Sequence, residues 1–126
     1  MAELSQNEVL LLGQLGYTLY KEGQYQSAIS IFEGLAEIQP DFPQFHSVLA
    51  VLYHLTNRPD VALQYGIKAL EQKPHDVALL MTIAEIYLAL QRPDHAQEIL
   101  SRASAEARRT NHPAFPRIQL LQQSAR

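Results

Sequence analysis

Five histidines are the side chains of this 126-residue chain best suited to metal binding or proton transfer, because imidazole titrates near neutral pH and binds zinc. They are His46, His54, His75, His95 and His112. None of them forms the i, i+4 pair beside a glutamate that marks a helical zinc site. We interpret His75 and His95 as solvated surface, whereas His46 and His54 stand two turns apart on one helix and could face a binding groove. We therefore expect no metal site and no cofactor.

The other patterns that carry catalysis are also missing. Gly13 and Gly16 lie within a helical pattern with no strand before them, so a loop that holds phosphate is not indicated. The chain has no cysteine, and it contains no Gly-x-Ser-x-Gly motif. Because nothing supplies a nucleophile with its base and orienting group, we expect that the protein is not an enzyme.

Residues recur at an interval of 34 positions, which indicates a helical repeat array. The recurring positions include small residues, tyrosines and prolines. Small residues at matched places let two helices approach closely, so each unit is predicted to be a helix pair. The matched sets are Gly16, Ala50 and Ala84; Ala28, Ala62 and Ala96; Tyr53 and Tyr87; and Pro40 and Pro74.

The helix limits follow from caps and breakers. Ser5 and Glu8 have the spacing of a capping box, Gly23 ends the first helix, and Pro59 and Pro93 fall near helix starts, where proline is tolerated. The sequence predicts helices over about 5–22, 25–38, 43–56, 59–72, 76–90, 93–109 and 114–124.

This pattern resembles the tetratricopeptide repeat, TPR. The resemblance is carried in the first unit by Leu15-Gly16, the segment from Tyr20 to Tyr25, Ala28, Phe32 and Pro40. In the third unit Arg108 replaces the closing proline, so the second helix of that unit is expected to run on. The resemblance implies an all-α solenoid of three helix-turn-helix repeats in a single domain, residues 1–126. The repeats are about 9–42, 43–76 and 77–109, with a short capping helix at about 114–124.

In that family the first helix of each pair lines a concave groove that binds other proteins, so the resemblance places the binding residues there. Val51 and Leu88 could instead pack between neighbouring repeats. The implied partner-binding residues are Tyr17, Tyr20, Lys21, Ser47, Val51, His54, Leu55, Met81, Glu85 and Leu88.

The composition of this groove indicates the chemistry of its ligand. Family members that grip the acidic tails of heat-shock chaperones use lysines, asparagines and an arginine as a clamp. The matching positions here hold Gly13, Tyr17, Val51, Ala78 and Thr82, so a carboxylate is not the expected ligand. Tyrosine and methionine offer adaptable apolar contact, which favours an extended or helical apolar peptide.

The net charge of −3 is unevenly distributed, with 4 basic and 10 acidic residues in 1–91 and 6 basic and 3 acidic residues in 92–126. Two readings of the basic end are open: a patch for an acidic partner or nucleic acid, or cations that complement a helix dipole on a polar outer face. The sequence pI of about 5.9 favours the second, so no nucleic acid is expected. The arginines concerned are Arg102, Arg108, Arg109, Arg117 and Arg126.

The same composition bears on location. The polar, acidic start from Met1 to Glu8 is unlike a signal peptide, and no apolar run approaches the ~20 residues of a membrane span. Absence of cysteine is compatible with a reducing compartment. We expect a cytoplasmic protein with no membrane insertion.

The overall build is similar to the three-repeat TPR chaperones of bacterial type III secretion. That resemblance implies a protein that holds an export substrate or export component in its groove, so that apolar segments do not aggregate before export. Two alternatives stay open: a scaffold subunit that joins two proteins, and self-association as a homodimer through exposed apolar surface.

Overall fold

The computed structural model describes residues 3–125, and every regular element within that range is an α-helix. Met1, Ala2 and Arg126, which enter the expectations about the N-terminus and the arginine cluster, lie outside the described residues. The helices agree with the predicted ones within one residue at every end. They are α1 (Gln6–Lys21), α2 (Tyr25–Ile38), α3 (Pro43–Leu55), α4 (Pro59–Gln72), α5 (Val77–Ala89), α6 (Pro93–Thr110) and α7 (Phe115–Ser124).

Local chemistry explains the helix starts. The predicted capping box is present: the Ser5 hydroxyl accepts from the Glu8 amide at 3.1 Å, and the Glu8 carboxylate accepts from the Ser5 amide at 3.0 Å. These hydrogen bonds lower the pKa of Glu8. Asp76 caps α5 through the Leu79 amide at 3.0 Å. Both caps satisfy amides that have no partner within the helix.

The recurring small residues are the points where helices meet. Ala28, Ala62 and Ala96 are fully buried. A Cβ atom at Gly16 would stand 2.7 Å from the ring of Phe32, closer than atoms can pack. Glycine at this position therefore allows α1 to lie directly against α2.

The buried side chains form two clusters. The first is built mainly from α2 and α3 and includes Phe32 and Leu49; the second is built mainly from α5 and α6 and includes Leu80 and Ile118. Leu63 of α4 packs against both clusters. The helix pairs are thus stacked so that each is buried by its neighbour, as the repeat pattern predicts.

The turn within each helix pair uses a left-handed backbone at the same place in the period. Gly23, Asn57 and Gln91 have φ angles of 78°, 63° and 59°, and they stand 34 positions apart. Glycine and asparagine tolerate this conformation, whereas a glutamine in it is sterically strained. The third turn is therefore the strained one.

We expect Gln91→Gly to raise the free energy of unfolding by about 0.5–1 kcal/mol, because relief of the left-handed strain exceeds the backbone entropy that glycine loses. Urea denaturation followed by circular dichroism measures the change. The matched control is Gln64→Gly, the same substitution at an exposed position within α4. It should lower stability by about 1 kcal/mol. Equal effects at the two sites would contradict the strain at Gln91.

The third repeat ends differently from the first two. Its second helix, α6, has 18 residues against 14 in α2 and α4, as expected from Arg108 in place of proline. Asn111 ends it with a left-handed residue, and α7 then folds back. Ile118 of α7 is fully buried in the second cluster, so α7 covers the end of the solenoid. Within residues 3–125, every helix is too short or too polar to cross a bilayer.

Candidate peptide-binding groove

The first helices α1, α3 and α5 share one side of the solenoid, here called the groove face. A depression of about 320 Å³, the central groove, runs across all three helices. Tyr17 of α1, Val51 of α3 and Thr82 of α5 line it, and Lys73 and Asp76 close one side, 3.9 Å apart. The predicted binding residues Tyr17, Ser47 and Val51 are thus brought together.

A second depression of about 420 Å³, here called the apolar cleft, lies between α1 and the start of α3. Leu10, Gly13 and Tyr17 form its α1 side, and Phe42 and Phe45 form the other. It shares Tyr17 and Gln44 with the central groove, so the two depressions are adjacent on the groove face. Together they offer a path in which an apolar anchor enters the cleft and the chain that follows crosses α3 and α5.

Gly13 creates much of the space in the apolar cleft. A Cβ atom at this position would meet no atom within 4 Å, so packing between helices does not require glycine here. Glycine within a helix costs about 1 kcal/mol relative to alanine. The absent side chain therefore lowers helix stability and leaves the cleft open.

Tyr17 is held at the junction by its neighbour. Its ring packs edge-on against Phe32, with 5.0 Å between ring centroids. Partial burial raises the pKa of Tyr17, so its hydroxyl remains protonated and can donate a hydrogen bond at neutral pH. The residue combines a rigid apolar ring with a polar end, the combination common at binding surfaces.

The rest of the predicted set is more dispersed. Lys21 and Leu55 are exposed at the ends of α1 and α3, and Tyr20 is half-buried, edge-on to Tyr25. The sequence left open whether Val51 and Leu88 line the groove or pack between repeats. Val51 lines the central groove, whereas Leu88 packs against the second core cluster. Met81 is only 6% exposed and belongs to that same cluster.

His54 and Glu85 do lie together. The His54 Nε2 and Glu85 Oε2 atoms are 3.9 Å apart, and Arg117 of α7 donates to Glu85 Oε1 at 3.0 Å. His46, the other histidine of α3, faces away from the groove: it is buried, stacks on Tyr65, and its Nε2 lies 3.1 Å from the Pro40 carbonyl. The expectation that His46 could face the groove is therefore wrong.

Two groups of lining residues are missing from the predicted partner-binding set. Leu10, Gln44 and Ala78 stand at one position of the 34-residue period, and all three line a depression of the groove face. The period itself was the signal that could have found them. Phe42 precedes α3 at the position of the period that Asp76 holds before α5, but its residue type does not recur.

The opposite, back face carries a separate depression of about 610 Å³ between α2 and α4. Glu33, Glu37 and Glu71 line it with Lys68 and Tyr65. The Tyr53 and Tyr65 hydroxyls donate to Glu33 at 2.5 and 3.5 Å. Burial first, then the contact with Glu33, raises the pKa of Tyr53 to about 12. No group of three or more metal-ligating side chains is assembled among residues 3–125.

Comparisons with known proteins place this geometry in context. The family model described as tetratricopeptide repeat matches residues 19–65 and 56–123. No curated protein sequence matches significantly. The crystal structure of PcrH from Pseudomonas aeruginosa is similar over 97% of this chain and 94% of its own, with a TM-score of 0.89 and 22% identity.

Two further crystal structures are as similar. The type III secretion translocator chaperone SycD of Yersinia enterocolitica has a TM-score of 0.90 at 18% identity, over 98% of this chain and 86% of its own. PcrH in complex with the chaperone binding region of PopD has a TM-score of 0.90 at 21% identity, over 99% of this chain and 96% of its own. At these identities the likeness establishes a shared fold.

Proposed function

We propose that this chain, which belongs to the tetratricopeptide repeat family, is a cytoplasmic chaperone of a type III secretion system. It holds an apolar segment of an export substrate or export component on its groove face, and it does so stoichiometrically, without catalysis. The observation that carries the proposal is that the apolar cleft and the central groove adjoin at Tyr17 on one face of the solenoid.

Two further observations support this role. The positions of the carboxylate clamp hold no lysine, arginine or asparagine. The cleft beside them is lined by valine, leucine, tyrosine and phenylalanine together with uncharged glutamines. Of the similar solved structures, SycD is a type III secretion translocator chaperone, and PcrH is in complex with the chaperone binding region of PopD. An apolar segment covered in this way is kept from self-association until a competing site takes it.

The lining residues define the proposed binding surface. It keeps the predicted Tyr17, Ser47 and Val51, gains Leu10 and Phe42, and leaves out the buried Met81. Tyr17 lies at the centre, where aromatic side chains contribute most to binding.

Co-expression tests the proposal. The partner is identified by affinity capture from the source organism and then co-expressed with this chain. We expect the chain to be soluble alone and to raise the soluble fraction of the partner severalfold. A partner that is equally soluble without this chain would contradict the chaperone role.

Gly13→Leu is the variant that separates folding from binding. Leucine fills the apolar cleft, so we expect affinity for the partner to fall at least about tenfold. Because leucine is a better helix former than glycine, the same variant should be more stable by about 0.5–1 kcal/mol. Affinity is measured by titration calorimetry and stability by urea denaturation. Wild-type affinity in Gly13→Leu would exclude the apolar cleft as the binding site.

The back face favours a second candidate function, a scaffold subunit that binds two proteins at once. Its depression is larger than the apolar cleft and is lined by Glu33, Glu37 and Glu71, a chemistry distinct from that of the groove face. A scaffold would stay in the finished assembly, whereas a chaperone would be absent from it. Mass spectrometry of the purified assembly distinguishes the two.

A further inference from the structure

Glu85 is a carboxylate on the groove face that is already held by another part of the chain. Arg117 of α7 donates to its Oε1 at 3.0 Å, and His54 of α3 lies 3.9 Å from its Oε2. Three helices, α3, α5 and α7, therefore meet at one anionic group beyond the central groove.

The two members of the ion pair differ in how firmly they are held. Glu85 projects from α5 between buried neighbours, and 27% of its side chain is exposed. Arg117 is a long side chain on the terminal helix, and 68% of it is exposed. An ion pair this exposed holds weakly, because water and salt screen it. Glu85 is the fixed group and Arg117 the replaceable one.

The position of α7 does not depend on this pair. Ile118 is fully buried in the second core cluster, Gln97 of α6 donates to the Gln122 carbonyl at 3.0 Å, and Arg108 lies over the Phe115 ring at 5.4 Å. These contacts fix α7 on α6. Arg117 can therefore leave Glu85 without displacement of the helix.

A segment bound along the groove face would remove water from Glu85, and a desolvated carboxylate is costly unless a cation pairs with it. We propose that Glu85 recognises a lysine or arginine of the bound segment, and that Arg117 occupies this position only in the free protein. The inference rests on the proposed function, because it requires a segment in the groove.

The geometry sets the spacing of the ligand. The α1 side of the apolar cleft lies two helix spacings from Glu85 on α5, which is roughly 20 Å at about 10 Å between the axes of packed helices. An extended chain covers this distance in about six residues. The ligand class is thus a peptide whose apolar anchor is separated from a basic side chain by about six residues.

Three synthetic, fluorescein-labelled peptides test this inference by fluorescence anisotropy. They share one apolar block and carry arginine, glutamine or glutamate about six residues from it. We expect the arginine peptide to bind the wild-type chain about tenfold more tightly than the glutamine peptide, as for a charge-assisted hydrogen bond. In Glu85→Gln this preference should disappear. In Arg117→Ala it should grow severalfold, because the internal competitor is gone.

The outcomes separate the inference from the proposed function. If the arginine and glutamine peptides bind equally, or if Glu85→Gln keeps the preference, the inference is wrong. Tightest binding of the glutamate peptide would assign recognition to Arg117 and also overturn it. If no peptide binds, or if filling the cleft with Gly13→Leu weakens none of them, the groove function itself fails. Circular dichroism checks that Glu85→Gln and Arg117→Ala keep wild-type helicity.

Discussion

Replacement of Phe32 with alanine is expected to lower the free energy of unfolding by about 3–5 kcal/mol. The Phe32 ring is fully buried and fills the space that Gly16 leaves between α1 and α2. It also contacts Phe45, with 6.1 Å between ring centroids, so its loss opens a cavity between the first and second repeats. Urea denaturation at low temperature measures the change, since a loss of this size leaves a small domain close to unfolding.

Leu120→Ala serves as the control for this substitution. Leu120 lies on α7 with 65% of its surface exposed, so its truncation should change stability by less than about 0.5 kcal/mol. A loss below about 1 kcal/mol in Phe32→Ala would show that α1 and α2 can close the cavity, contrary to the close packing at Gly16.

Leu10→Glu is expected to weaken partner binding at least about thirtyfold, because it places a charge in the apolar cleft where the ligand's anchor must desolvate it. Leu10 is 60% exposed in the unbound protein, so the fold should be unaffected. Titration calorimetry with the captured partner measures the loss, and circular dichroism checks the fold.

Its neighbour Leu11 provides a matched control. It has the same residue type on the same helix and is 63% exposed, but it does not line the apolar cleft. Leu11→Glu should therefore bind the partner within about twofold of wild type. If both variants lose binding equally, the loss does not depend on the apolar cleft. Self-association through the exposed Leu11 and Leu15 of α1 then becomes the better explanation for the exposed leucines. Sedimentation analysis of Leu11→Glu distinguishes that case.

The fold was predictable because its determinants are local and repeated. The 34-residue period identifies Gly16 as a contact point from sequence alone, and the structure supplies the reason in the ring of Phe32 at 2.7 Å. Helix limits follow from the capping box at Ser5 and the prolines at helix starts, all of which act within a few residues. The strain at Gln91 could also have been foreseen, since it stands in the period with Gly23 and Asn57.

The candidate site was only partly predictable, because the repeat period fixes the backbone position of a residue and not the direction of its side chain. Gly13 and Ser47 line the groove face, whereas Met81, at the same position of the period, is buried in the second cluster. A long, flexible methionine can fold onto core neighbours, and glycine or serine cannot. The contact of Arg117 with Glu85 spans 32 residues and has no local signal.

The junction of the two core clusters at Leu63 has a consequence for how a segment bound as proposed would be released. In a stacked array each unit is stabilised chiefly by its neighbours, so one end can open while the other stays folded. Loosening of α6 and α7 would disrupt the second cluster and free the region around Glu85, while the cleft beside Leu10 keeps its own support from the first cluster. If a segment binds as proposed, its basic end would then dissociate first, while its apolar anchor stays in the cleft.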